Sequence, residues 1–163
     1  MSPRAALPSH STRIEFATDV DLGAIRALLA QCQLPTADLE KSRPRFIVAR
    51  EDEEIVGVGA LELFGSTGLL RSVAVHARLR GTGLGKALVE RLEREARTAH
   101  VSELVLLTET AKAFFENRGY QAIDRESVPR SVQDSEEFRS LCPQSASCLS
   151  KRLIERETSD DCV

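Results

Sequence analysis

The chain has 163 residues, 42% hydrophobic and 29% charged, with a net charge of −3. That length is one domain's worth, able to bury roughly 70% of its unfolded surface. The weak acidity excludes the basic field of a nucleic-acid binder, and no apolar run approaches the roughly 18 residues of a membrane span.

The opening residues, MSPRAALPSHSTR, lack the apolar core of a signal peptide, so the cytoplasm is the expected compartment. There the four cysteines, Cys32, Cys142, Cys148 and Cys162, are expected as free thiols. Residues 1–11 and 154–163 are polar or charged and are expected as flexible tails around one domain, 12–153. Thr12 to Ala17 alternates as a first strand, with Ile14 and Phe16 set against Arg13 and Glu15. Thr18 or Asp19 then caps a helix carrying Leu22, Ile25, Leu28 and Leu29 at helical spacing, ended by Gln33-Leu34-Pro35-Thr36. A short, weakly helical stretch is expected at 37–41.

Arg45 to Arg50 and Glu54 to Phe64 read as consecutive strands around the acidic turn Glu51-Asp52-Glu53. Gly65 to Gly68 turns the chain into the next strand, Leu69 to Val75. The helix after Gly85 puts Leu84, Ala87, Leu88, Leu92, Ala96 and Ala99 on one face, with Arg and Glu opposite. Glu103 to Thr108 suits a strand covered on both faces. A short helix from Thr110 stops at Gly119. Strands at Tyr120 to Asp124 and Cys148 to Leu153 complete the set. Ser127 to Cys142 is longer than a hairpin needs and reads as a binding loop, with a helical turn beginning near Ser135-Glu136-Glu137-Phe138. The fold class is α+β: one mixed, mostly antiparallel sheet flanked by helices.

The chemistry concentrates between Leu69 and Leu88. An apolar strand runs into a short basic turn, and Gly81, Gly83 and Gly85 then open a helix. Glycines permit a tight bend and close ligand approach, and the first helical turn presents unpaired N–H groups and a positive dipole end. Together they make a phosphate cradle. A P-loop would need a glycine at Arg80 and a hydroxyl at Ala87, and a dinucleotide fingerprint would need GxGxxG rather than the observed GxGxG. The pattern that fits is [RQ]xxGxG, met by Arg80, Gly83 and Gly85.

On that motif the chain resembles the Gcn5-related N-acetyltransferases (GNAT), whose pyrophosphate-binding turn has this form. The resemblance runs from Thr12 to about Leu153 and includes AKAFFENRGY at 111–120, similar to the family's AxxFYExxGF. It implies acetyl-CoA as acetyl donor and no metal. Pyrophosphate would be held by Arg80, Gly81, Thr82, Gly83, Leu84, Gly85 and Lys86. The pantetheine arm would run along Val73 and Val75, and the Val75 N–H would serve as oxyanion donor unless it is spent on ordinary sheet pairing. Two positions depart from the pattern. Phe115 stands where many members place a tyrosine acid, and Thr108 where they place an asparagine. Tyr120, the only tyrosine, matches an aromatic core position.

EFRSLCPQSASCLSKRL, with LLRSVAV and LLTETAKAFF, resembles the arsenic-resistance-associated branch of these acetyltransferases. The Val128-Pro129, Cys142-Pro143 and Cys148 pattern is also similar to short enzymes that acetylate glutamate. Both resemblances imply action on the α-amine of a small amino acid, a glutamate-like arsenical in the first case; no residue reads as an acyl-carrying nucleophile, so direct transfer in a ternary complex is expected. Glutamate acetylation for arginine biosynthesis is the rival. A catalytically silent acetyl-CoA-binding module is a further alternative, motivated by Phe115 and Thr108.

For the amino acid, Glu62 is the first candidate base, against a plain solvated strand position. Arg71, alone in an apolar strand, suits a substrate carboxylate; the alternative is a salt bridge, Glu62 being one partner. Arg139 is a second candidate clamp or a surface residue, and His76 a proton shuttle or an incidental turn histidine. Cys142 and Cys148, spaced CxxxxxC with no Cys or His pair close by, are a weak signal for zinc or a metalloid and read rather as packing or redox-inert thiols. Whether the chain works alone or as a homodimer stays open.

Overall fold

The computed structural model describes residues 12–37, 39, 44–141 and 144–153. The expected tails, Cys142, Cys162 and most of the expected helical stretch at 37–41 lie outside the described residues. Seven strands form one sheet: β1 Thr12–Phe16, β2 Arg45–Glu51, β3 Glu54–Phe64, β4 Thr67–Val75, β5 Glu103–Thr108, β6 Gln121–Ala122 and β7 Ser147–Arg152. Their spatial order is β1-β2-β3-β4-β5-β7-β6. Every pairing is antiparallel except β4 with β5. The helices are α1 Leu22–Gln31, α2 Leu84–Thr98, α3 Lys112–Glu116 and α4 Arg130–Gln133, joined by short 3-10 turns.

Alternation along the strands, offset by one residue where the β2–β3 register shifts at Val56, divides the core. Ile47, Ala49, Val56, Leu61 and Leu70 face α2, meeting Leu84, Leu88, Val89 and Leu92. Val48, Val58 and Ala74 face the opposite side and meet Ile25, Leu28 and Leu29 of α1. A third cluster on that side joins Leu69, Val105 and Leu107 to Val128, Val132 and Phe138 of the long segment. β5 is thus buried on both faces, as its apolar run predicts.

Several local expectations shift. The helix expected from Thr18 begins as a 3-10 turn, Asp19–Asp21, because Asp21 turns back to accept the Thr18 N–H at 2.8 Å and the Arg50 guanidinium at 2.6 Å. The strand expected over Tyr120–Asp124 shrinks to two residues, since Tyr120 is drawn into the core under α2. The polar face expected for α2 is interrupted as well. Glu93 is buried, accepting the Tyr120 hydroxyl at 2.8 Å and the Lys151 ammonium at 3.1 Å. Helical periodicity sorts residues by polarity and cannot see a buried ion whose partners come from other elements.

Candidate active site

β4 and β5 pair only from Thr67 to Leu69, against Glu103 to Val105. Beyond that point they part, and a cleft of about 690 Å³ opens between them. Its walls are Arg71, Ser72 and Val73 on one side and Leu107, Thr108 and Glu109 on the other, with Cys32, Phe115 and Glu137 closing the ends. The parting coincides with a β-bulge: Ala74 pairs with Val58 but Arg71 with Ala60, so β4 holds an extra residue there. Ser72 takes it up at φ +58°, a left-handed conformation that costs free energy for a residue with a side chain.

The top of β4 turns backbone groups toward the open side. The His76 N–H donates to the Val56 carbonyl at 2.8 Å. Antiparallel bonding alternates along a strand, so Val75, in register with Gly57, aims its N–H and C=O the other way. Two donors mark the direction: the Val75 carbonyl accepts from the Cys32 thiol at 3.8 Å and from Arg80 Nε at 3.4 Å.

The glycine turn follows at once. Gly81 and Gly83 sit at φ +81° and +92°, with open space where side chains would project. Thr82 closes the turn by donating its hydroxyl to the Leu79 carbonyl at 2.6 Å. α2 starts at Leu84, and residues 81–83 and Lys86 are exposed around its N-terminus. Gly85 lies against Phe114 and Val75, one and two positions along the chain from the cleft-lining Phe115 and Val73; residues 81–86 themselves do not line the cleft. Leu84 itself points into the core, so it contributes only backbone. The Arg80 side chain is folded back over Val75 and Cys32, with Nη2 3.5 Å from the thiol.

The candidate substrate residues separate. Arg71 is buried in the cleft wall, with Nη1 3.2 Å from Glu62 and Nη2 3.4 Å from Glu137. The salt bridge weighed against a substrate role therefore exists. Glu62 stands behind Arg71 and is not among the residues lining the cleft, and neither is Arg139, which is exposed. His76 lies in a separate hollow with Asp21, Arg50 and Glu53, its Nδ1 accepting the Arg78 N–H at 3.3 Å. Thr108 spends its hydroxyl on the N–H of Ala111, at the start of α3. The residue that sequence reasoning did not assign is Glu137. Its one sequence signal was its place in an overlong segment beside Phe138.

Burial and the neighbouring Glu93 carboxylate push the Tyr120 phenol far above its ordinary pKa, so it is held as a structural donor. Burial also pushes the Cys148 thiol up to about 11, leaving little thiolate at neutral pH. Among the described residues there is no group of three or more His, Cys, Asp or Glu placed to hold a metal ion. No described helix is long and apolar enough to cross a membrane.

Comparison with known proteins agrees with this geometry. Residues 42–122 match the family model of the acetyltransferase (GNAT) domain. Among curated proteins, the amino-acid acetyltransferase of Enterobacter sp. (strain 638) is 28% identical over 131 residues, covering 75% of this chain and 30% of that protein. The Escherichia coli (strain K12) amino-acid acetyltransferase is 27% identical over 128 residues, 73% and 29% respectively. The chain thus spans about 30% of the length of these relatives. N-acetylglutamate synthase from Neisseria gonorrhoeae, complexed with coenzyme A and N-acetyl-glutamate, superposes with a TM-score of 0.78 at 22% identity, over 91% of this chain and 36% of that one. Rv2747 from Mycobacterium tuberculosis, in complex with CoA, superposes with a TM-score of 0.73 at 26% identity, over 87% and 99%. Sheet order, parted strands, glycine turn and family match converge: residues 42–122 match a GNAT acetyltransferase domain, and the sheet around them has the fold of these GNAT neighbours.

Proposed function

We propose that the chain is an acetyl-CoA-dependent N-acetyltransferase that acetylates the α-amine of a small amino acid by direct transfer in a ternary complex. The observation that carries this reading is the cleft between parted β4 and β5, lined on one side by Arg71, Ser72 and Val73, with the glycine turn following β4 directly in the chain. The amides of residues 81–86 would hold the pyrophosphate, with Arg80 and Lys86 supplying charge. The amide-bearing pantetheine arm would pair along Val73 and Val75, as a missing strand would. Fixing both reactants supplies the largest share of rate, since effective molarities reach roughly 10⁵–10⁸ M. The Val75 N–H would stabilise the tetrahedral oxyanion, worth about 3 kcal/mol when well aimed.

Arg71 is the carboxylate reader in this scheme, held at the correct angle by Glu62. Glutamate is the first substrate to test, because relatives acting on amino acids and an N-acetylglutamate synthase share the fold. A glutamate-like arsenical is the finer reading, supported by the resemblance at 137–153.

The test is thiol release from acetyl-CoA across a panel of amino acids, including arsenic- and phosphonate-bearing glutamate analogues. Thiol release with at least one α-amino acid is expected. A folded Gly83→Val variant should lose at least a hundredfold in coenzyme A affinity by calorimetry, because a branched side chain at φ +92° strains the turn and fills the ligand's space. Binding of acetyl-CoA without thiol release on any amine would leave the silent module instead.

A further inference from the structure

We infer that Glu137 is the group that receives the substrate's α-ammonium and takes its proton, with Arg71 beside it reading the α-carboxylate. The inference rests on the functional reading above and extends it to a residue of the long segment.

A free amino acid enters as a zwitterion, its opposite charges on one carbon. A site that reads this head group needs a donor fork and an acidic acceptor side by side. The cleft wall holds such a pair: Arg71 Nη2 and Glu137 Oε1, 3.4 Å apart. Their side chains are 0% and 6% exposed, so their charges act in surroundings from which bulk water is largely excluded. Glu62 grips the other nitrogen of Arg71 from β3 without reaching the cleft wall. The remaining carboxylate in the wall, Glu109, is exposed and hydrated.

Glu137 is also held firmly. It opens the π-helical turn Glu137–Leu141, a geometry frequent at functional sites. Phe138 anchors that turn by packing with Leu69, Val105, Leu107 and Val132. Ser135 fixes its start, its hydroxyl donating to the Val132 carbonyl at 2.7 Å and accepting the Phe138 N–H at 3.3 Å. The turn delivers the carboxylate to a strand 66 positions away in sequence.

The proton balance closes. The ammonium gives one proton to Glu137, and the neutral amine attacks the thioester carbonyl. As the C–N bond forms and the C–S bond breaks, the nitrogen's second proton leaves with the coenzyme A thiolate, giving the thiol. Glu137 then returns its proton to solvent. The charged and titratable groups around it are Arg71 from β4, Glu62 behind it, Glu109 and Cys32 in the cleft wall, and Glu136 and Arg139 on its own turn. Arg125 and Cys148 lie about Phe138.

The test compares Glu137→Gln, Glu137→Asp and Glu62→Gln with the wild type, following thiol release from pH 6 to 10. Glu137→Gln should lower kcat/KM for the amino acid about a hundredfold at neutral pH, with KM for acetyl-CoA unchanged. The loss should shrink as pH rises and the amine deprotonates unaided. Glu137→Asp keeps a carboxylate and should keep the wild-type pH profile at a reduced rate. Glu62→Gln should raise KM for the amino acid without altering the profile. A Glu137→Gln loss below about threefold, or one equal at every pH and shared by the aspartate variant, overturns the inference. Wild-type protein that releases no thiol with any amino acid overturns the functional reading beneath it.

Discussion

β4 is two strands in one. Its lower part, Thr67 to Leu69, is hydrogen-bonded to neighbours on both sides and packed so closely that a side chain on Gly68 would meet Leu104 at 2.9 Å and Leu61 at 3.0 Å. Its upper part, Arg71 to Val75, pairs as a strand with β3 alone, holds a left-handed serine, and buries a guanidinium instead of an aliphatic chain. Backbone donors and acceptors inside a sheet are normally paired, because an unpaired buried one costs free energy. Among the described residues the upper part has no second strand beside it, so a ligand's polar groups can take that place. One strand thus carries stability at one end and binding at the other, and the bulge at Ser72 is the joint.

Substitutions can test how sharply the two parts differ. The largest effect should come from Arg71→Ala, which takes the cation from between the part-buried Glu62 and the buried Glu137. Unfolding free energy in urea should fall by roughly 3–5 kcal/mol, and in folded protein KM for the amino acid should rise far more than KM for acetyl-CoA. Flat KM values would make Arg71 purely structural and erase the division. Gly68→Val probes the closed part. Overpacking should cost roughly 1–3 kcal/mol, with steady-state constants of the folded enzyme unchanged; altered constants would show that the lower part also shapes the cleft. The smallest effect is expected from Phe115→Tyr, which places a hydroxyl in the cleft wall where Phe115 now packs. A thiol with pKa near 8.5 leaves readily, so turnover should change less than about tenfold and coenzyme A affinity not at all. A rise approaching a hundredfold, within the usual reach of general acid catalysis, would show that the missing acid matters.

What could be read from the chain depended on how local the signal was. The β2–β3–β4 meander and the glycine turn follow from alternation, turn residues and a motif spanning six positions, and their elements stand within two residues of where they are expected: Glu51, Thr67 and Gly68 join strands, and the helix begins at Leu84. The faces of β4 do not follow. Strict alternation puts Leu69, Val73 and Val75 on one side, whereas Val73 and Val75 pack toward α2 and Leu69 packs away from it. The extra residue at Ser72 reverses the parity, and no glycine announces it. Arg71 was singled out because a cation in an apolar run is visible in sequence. Glu137 was not, because its meaning lies in a contact with a residue far upstream. Glu93 was hidden for the same reason, its partners arriving from Tyr120 and Lys151.

The place of β7 in the sheet has a consequence for synthesis. β7 is the last described strand in the chain, yet it lies between β5 and β6, bonded to both. As the polypeptide leaves the ribosome, the meander can close early, while β5 waits with an apolar edge uncovered until Ser147–Arg152 emerges. Uncovered edges of that kind invite pairing with other chains. Of the described sheet, the half that carries the cleft is therefore completed last, and the nascent protein depends there on prompt arrival of β7.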